Sequence, residues 1–470
     1  MKLLASRLIG VAAAILVASA CGSTTVVTAT TSSGSSAESS SSASSGVGGS
    51  SATTAAASST SAGGGGGIGG AASSSSDASS SSDASSSSDA SSSSGGPVDL
   101  DLDQDGDGWT PNEGDCCDTP ADCMNPPQIN PGAYEFPGNN VDDDCDPSTP
   151  DNAAPLDCAP PPLQAPTGAD DLVKAMDLCQ FTNEVAPKPQ RKWGVTMTSL
   201  HLADGTAAPK DLQVGVLGGF GPSVLPQAGA TMAAISTGTA RSKNDPGFTS
   251  PQAPNSYNAN TAAALPSKFF AAHNGVVPTA QACPPCQGPS CDQAFDSVDL
   301  KVRVRVPTNV TAFSFRHRLF TAEYPERICV KNNDFFVALL TSSWTPDPNG
   351  MPPGLPLPAD GNIAFDATKN LMSVDNIAFD ICFPTAGAPP GSCPGGTLDL
   401  IGNGYGGAGT SVADGAATPW LIADAPVVPG ETIELDFVVW DALDHQGDSL
   451  VLLDKFRWSP PFNCVGCGGP

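Results

Sequence analysis

The sequence predicts a mainly β protein: an antiparallel β-sandwich with one short helix, preceded by a small irregular acidic module and a disordered Ser/Gly-rich linker. Three observations lead there. Apolar residues recur at alternate positions near 300–306, 313–319 and 433–439, the period of a strand with one buried face. Turn formers are abundant, with 50 Gly and 45 Pro in 470 residues, and a helical pattern shows in one segment only. Ahead of the strands, no lysine or arginine occurs between Arg7 and Lys174, and residues 99–157 within that gap hold fourteen aspartates and two glutamates.

The N-terminus reads as an export signal over 1–20. Lys2 and Arg7 make a basic start, Leu8 to Ala18 is apolar, and Ala18-Ser19-Ala20 are small. The apolar run is too short for a spanning helix, which needs roughly 20 residues. The Ala-Ser-Ala-Cys ending resembles the bacterial lipobox, although the commonest form has Leu at the position of Ala18. The resemblance implies that Cys21 is lipidated and tied to a membrane by acyl burial, at about 0.8 kcal/mol per CH₂. Gly22 follows, not Asp, which points to the outer membrane and a surface-exposed protein. Ordinary cleavage after Ala20 is the alternative.

Residues 21–96 form the tether. Ser, Gly, Ala and Thr dominate, with a glycine run at 63–67 and aspartates at 77, 83 and 89 in a repeated Asp-Ala-Ser-Ser-Ser-Ser unit. Such a chain cannot bury enough apolar surface to offset its entropy, and its end-to-end distance is about 50 Å by random-coil scaling. The net charge of −28 argues against nucleic acid and anionic lipid surfaces as partners. Fifteen cysteines suit an oxidising compartment. Without Cys21, four lie between 116 and 145 in the acidic segment and ten from 158 onward, so two disulfide-stapled units are expected, with pairing unreadable from the sequence.

The acidic module spans 97–158. Asp101, Asp103 and Asp105 with Gly106 match the opening of a calcium loop, in which alternate carboxylates turn inward and glycine permits the tight bend. An EF-hand does not fit: its position 12 falls on Asn112 or Gly114, and no amphipathic helices flank the loop. The longer order is more specific: Asp103-x-Asp105-Gly106-Asp107-Gly108-Trp109, Glu113-Gly114-Asp115-Cys116, Pro131-Gly132-Ala133-Tyr134-Glu135, and Pro137-Gly138-Asn139-Asn140-Val141-Asp142-Asp143-Asp144-Cys145-Asp146. Over 101–147 this resembles the MopE-type metal-binding motif of exported bacterial proteins, with Cys117 standing where the family has a second aspartate. The resemblance implies a metal set drawn from Asp101, Asp103, Asp105, Asp107, Asp115, Asp118, Glu135, Asp142, Asp143, Asp144 and Asp146, with Cys116 or Cys117 bridged to Cys145. The donors favour Ca²⁺: there is no histidine from 97 to 200, Met124 is the module's only thioether, and clustered carboxylates suit hard cations. Copper, to which the family name is tied, is the alternative cofactor. An unliganded acidic spacer is the bland reading.

The domain over 165–470 opens with the one expected helix, Thr167 to Gln180. Thr167 and Asp170 resemble a capping box, and Leu172, Met176 and Cys179 share a face. Strands follow. Leu300, Val302, Val304 and Val306 alternate with Lys301, Arg303 and Arg305; Phe313, Phe315, His317 and Leu319 keep that phase after a Pro-Thr-Asn turn; Ile433, Leu435, Phe437 and Val439 repeat it; Leu450 to Leu453 is wholly apolar. Antiparallel sheets in a sandwich are the expectation. Four segments, Ala322-Glu323-Tyr324-Pro325-Glu326, Asn333-Asp334-Phe335-Phe336-Val337, Trp440-Asp441 and 447–456, resemble in order the choice-of-anchor L domain of bacterial surface proteins. That resemblance, over roughly 170–460, implies location and fold, not activity. Glu323, Asp334, Asp441, Asp444 and Asp448 sit at or just past strand ends and make a candidate second calcium site. Local turn hydrogen bonding is the alternative.

Other signals are discounted. The glycines at 402, 404 and 407 lack the strand and helix that a dinucleotide site needs. The pairs Cys283/Cys286 and Cys464/Cys467 read as disulfide cysteines more readily than as a zinc site. His317 reads as core, His445 as a weak candidate beside acids, and no HExxH or GxSxG signature occurs. The expectation is therefore a non-enzymatic, surface-exposed, calcium-binding protein in adhesion, ligand binding or envelope architecture, with an extracellular or envelope ligand unidentified. An exported hydrolase using a pair such as Asp441 and Asp448 is the rival class.

Overall fold

The structure is a computed structural model, and it describes residues 99–152, 158–279, 283, 291–347, 356–366, 368–375, 379–383, 393–406 and 415–459. The signal, Cys21 and the tether lie outside the described residues, as do Cys286, Cys464 and Cys467. Residues 92–470 form one compact unit that includes both the acidic module and the strands.

In chain order the elements are helix α1 (Ala169–Ala175), strands β1 (Gly194–His201), β2 (Val214–Leu217), β3 (Met232–Ser236) and β4 (Ala262–Ala264), helix α2 (Ser267–Ala272), then β5 (Gln293–Arg305), β6 (Ala312–Thr321), β7 (Phe335–Thr341), β8 (Met372–Ser373), β9 (Ile381–Cys382), β10 (Ala416–Ala417), β11 (Leu421–Pro426), β12 (Thr432–Asp441) and β13 (Ser449–Ser459). They make two antiparallel sheets. One runs β1-β5-β12-β7-β8, with β4 also on β5; the other runs β2-β3-β13-β6-β10-β9, with β11 also on β6. This is the expected mainly β, two-sheet architecture.

The alternating residues account for the core. Leu300, Val302 and Val304 of β5 and Ile433, Leu435 and Phe437 of β12 face Phe313, Phe315 and Leu319 of β6 and Val451 and Leu453 of β13 in one buried cluster. Phe315 meets Phe437 edge-on across the gap, with ring centroids 5.1 Å apart. The apolar run in β13 has a separate cause. Leu450 and Leu452 point to the opposite face, where Phe220, Leu400 and Tyr405 from loops cover them. The outer face of β7 is covered in the same way by Phe269 of α2, beside Trp440. His317 is buried in the core between Phe315 and Phe336, and burial lowers its pKa to about 3.

Two details depart from expectation. The first helix is shorter than 167–180, and no side chain caps it; Thr167 donates from its N–H and Oγ1 to Asp171, at 2.7 and 2.8 Å, not to Asp170. A second helix, α2, was not legible because its six residues bury only Phe269 and span too few turns to show a period. Strands β5 and β6 belong to different sheets, and the turn 307–311 carries the chain across.

Crossovers set the positions of everything functional. Segments 322–334 and 442–448 also pass between the sheets, at the far end of β6 and β12 from 307–311. Ten-residue strands separate the two ends by about 30 Å.

One buried acid on the outer face of β5 gives a stability prediction. Asp299 is 4% exposed, and burial, with repulsion from Asp436 and Glu434, pushes its pKa up to about 8 against the pull of Lys301. A raised carboxyl pKa means that the folded chain holds the proton longer than the unfolded one. The contribution is neutral below the unfolded value and costs stability as pH rises toward the folded value. Asp299→Asn is therefore expected to raise the unfolding midpoint at pH 8 and leave it nearly unchanged at pH 4, measured by thermal denaturation. An equal shift at both pH values would contradict this.

Candidate metal centres in the acidic module

The loop 103–109 folds around its own aspartates. Asp103 accepts the N–H groups of Gly106 at 2.7 Å and Gly108 at 3.0 Å, Asp105 accepts Asp107 N–H at 3.0 Å, and Asp107 accepts Trp109 N–H at 2.7 Å. Gly106 and Gly108 have φ of 82° and 93°, in the left-handed region that glycine enters without strain. Asp118 reaches back from beyond the cysteines to accept the backbone and side-chain N–H of Gln104, at 2.7 and 3.1 Å.

These bonds leave one set of oxygens facing inward. Asp103, Asp105 and Asp118 bring carboxylate oxygens within 4.8 Å of one another, and so do Asp105, Asp107 and Asp115. Asp105 belongs to both triples, so the five acids make one continuous pocket. A second group, Glu135, Asp142 and Asp144, meets the same distance. Calcium–oxygen bonds of about 2.3–2.6 Å let one ion reach donors spaced this way.

The decisive feature is that buried oxygens in both groups lack a hydrogen-bond donor: Asp105 Oδ2, Asp115 Oδ2, Glu135 Oε1 and Asp142 Oδ1. Burying an anionic oxygen without a donor or cation is costly. The cost shows in titration. Burial is the largest cause raising Asp107 to about 6 and Glu135 to about 7, and neighbouring aspartates add to it. Asp105, Asp115, Asp142, Asp143 and Asp144 are also raised, chiefly by burial.

Other members of the expected set sit elsewhere. Asp101 is exposed and accepts from Asn112 Nδ2 at 2.6 Å. Asp143 accepts from Phe136 N–H at 3.1 Å and Asn139 Nδ2 at 2.6 Å, which shapes the loop. Asp146 pairs with Lys192 at 2.7 Å, which with the Ser148 hydroxyl holds its carboxyl well below the usual range. None of the three joins a ligand group.

Disulfides Cys116–Cys145 and Cys117–Cys123 close the module on itself. The first ties the 103–118 pocket to the 135–144 group. It resolves the choice between Cys116 and Cys117, and the two bonds together leave Cys116, Cys117, Cys123 and Cys145 no free thiolate. Met124 points outward, 85% exposed. The donors are thus all oxygen, the set that suits calcium, magnesium or manganese better than copper.

The module leans on the sandwich at the 307–311 crossover. Asn309 clips Tyr134 twice, accepting its N–H at 2.8 Å and donating to its carbonyl at 2.8 Å. Thr308 Oγ1 donates to Asn130 at 2.7 Å, and Lys188 pairs with Glu113 at 2.7 Å. Tyr134 packs on Trp193 at 5.3 Å, and Trp193 on Trp458 at 6.2 Å, so the aromatic core runs into the module. Asn309 and Lys192 carry no sequence signal for this role; their partners are remote in the chain.

Of the five acids expected at the second site, Glu323, Asp334 and Asp441 meet. Asp444 instead pairs with Arg327 at 3.4 Å and accepts from Asn332 Nδ2. Asp448 accepts Tyr257 N–H at 3.3 Å. Asp441 and Asp448 are each 1% exposed, so neither meets solvent as a glycosidase pair would need. His445 pairs with Asp296 at 2.9 Å. Cys283 pairs with Cys329, not with Cys286, and Cys158–Cys179 and Cys382–Cys393 are also bonded.

No family model matches the chain, and neither does any curated protein or solved structure.

Proposed function

We propose that this chain is an exported, lipid-anchored surface protein whose acidic module binds calcium, and whose sandwich serves adhesion, ligand binding or envelope structure. The observation that carries the metal reading is the set of buried, donorless oxygens in two groups of carboxylates. A hard divalent cation satisfies those oxygens, removes the repulsion among the acids and orders a segment whose own core is little more than Trp109, Ile129 and Ala133. Export is supported by the N-terminal pattern that ends at Cys21 and by the disulfides, which persist outside a reducing cytosol. The MopE-type order of motifs supports metal binding, and the choice-of-anchor L-like order supports a surface location.

Calcium titration of the full chain by calorimetry, after stripping with chelator, tests the reading. Saturable binding with a rise in unfolding midpoint is expected. A flat titration with an unchanged midpoint would sink it. Copper added against excess calcium at neutral pH should leave the calcium bound; displacement would replace calcium by copper in the proposal.

A further inference from the structure

The other end of the sandwich holds a different kind of acid cluster. Glu323 follows β6, Asp334 precedes β7, and Asp441 ends β12 just past a register shift against β5. Strand pairing brings these ends together: Thr321 lies opposite Ser449 in one sheet, and Trp440 opposite Phe335 in the other. The three carboxyls therefore come from both sheets and meet where the crossovers pass between them.

We propose that Glu323, Asp334 and Asp441 hold one calcium ion inside the sandwich, a site separate from the acidic module. Their oxygens lie within 4.8 Å of one another, which one ion with bonds of about 2.3–2.6 Å can span. The residues are 3%, 0% and 1% exposed. Both oxygens of Asp334, both of Asp441 and Oε1 of Glu323 find no hydrogen-bond donor of good geometry. Glu323 Oε2 accepts the Asp334 N–H at 3.2 Å, which fixes its carboxyl toward the group.

A neutral side chain points to the same ligand. Ser449 is completely buried, and its hydroxyl lies against the Asp334 carboxyl, within reach of it but without good hydrogen-bond geometry. It adds a fourth oxygen to the set. Arg327 is the positive charge that acts on Glu323 and Asp334, yet its guanidinium is committed to Asp444 at 3.4 Å and its side chain is 30% exposed. It does not enter the cluster. Burial and mutual repulsion raise all three carboxyls.

The ion's identity follows from the donors and the enclosure. All donors are oxygen, which disfavours copper and zinc. Magnesium gives up its waters reluctantly and demands near-octahedral geometry, which suits it poorly to a group buried this deeply. Calcium sheds water readily and accepts irregular geometry. An ion so enclosed would also leave slowly.

The test compares three forms of the full chain: wild type, a module variant (Asp105→Asn with Glu135→Gln), and a cluster variant (Asp334→Asn with Asp441→Asn). Each is loaded with calcium, passed through calcium-free buffer and analysed for retained calcium by elemental mass spectrometry, then melted with and without calcium. The module variant is expected to keep one calcium per chain. The cluster variant is expected to lose that ion while its midpoint still responds to calcium through the module. Should the cluster variant yield no soluble protein, Glu323→Gln takes its place with the same readouts, and at least a tenfold faster calcium release is expected. Retention equal to wild type in either cluster variant would overturn the proposal. So would a calcium-loaded cluster variant that melts at or above wild type, because the acids would then be protonated structural groups.

Discussion

Asp105→Asn is expected to weaken calcium binding by the module on the order of 100-fold, or about 2.8 kcal/mol at about 1.4 kcal/mol per decade. Asp105 is the one acid shared by the triple with Asp103 and Asp118 and the triple with Asp107 and Asp115. At 4 Å a pair of unit charges near a protein surface attracts by about 4 kcal/mol, and part of that is returned when repulsion among the remaining acids falls. The side chain is partly exposed and its backbone bond to Asp107 survives in the amide, so folding should be little affected. Asp101→Asn provides the contrast. Asp101 is exposed and outside both triples, so its affinity change should stay below about threefold. Calorimetric titration of both variants decides between a shared central ligand and a diffuse acidic surface; equal effects would favour the surface.

The second large effect concerns the Cys116–Cys145 bond. It closes a 29-residue separation, and the chain-entropy relation assigns such a closure about 3–4 kcal/mol. That is large for a segment whose core is a few side chains. The pair Cys116→Ser and Cys145→Ser is expected to release the 135–144 group from the 103–118 pocket and to leave the module protease-sensitive without calcium. Saturating calcium should restore most of the protection. Limited proteolysis with and without calcium reads this directly. Equal resistance of the variant and the wild type in chelator would show that docking on the sandwich, not the disulfide, holds the module.

Much of the fold was legible because one face of each long strand is buried. The alternation at 300–306, 313–319 and 433–439 survives as β5, β6 and β12. The wholly apolar 450–453 was ambiguous for a physical reason: both faces of β13 are covered, so the period vanishes. Which sheet receives each strand was not legible, since a turn such as 307–311 reads the same whether it closes a hairpin or crosses a gap. At the module, spacing marked the acids, but it could not separate those facing the pocket from those spent on neighbours. Asp143 and Asp146 stand in the same run as Asp142 and Asp144, yet Asn139 and Lys192 engage them. At the far end, the position of Asp448 past a strand end marked it as a candidate, and its carboxyl does act on Asp334 and Asp441, while Ser449, an unremarkable residue in a strand, lies beside Asp334 without having been marked.

The double clip from Asn309 to Tyr134 has a practical meaning for anyone who wants to transplant the module. Cut out near residue 152 and fused to a new host, it would leave behind the amide that terminates its backbone and the indole on which its tyrosine rests. A portable version has to bring a copy of that bend with it, or have the exposed underside redesigned.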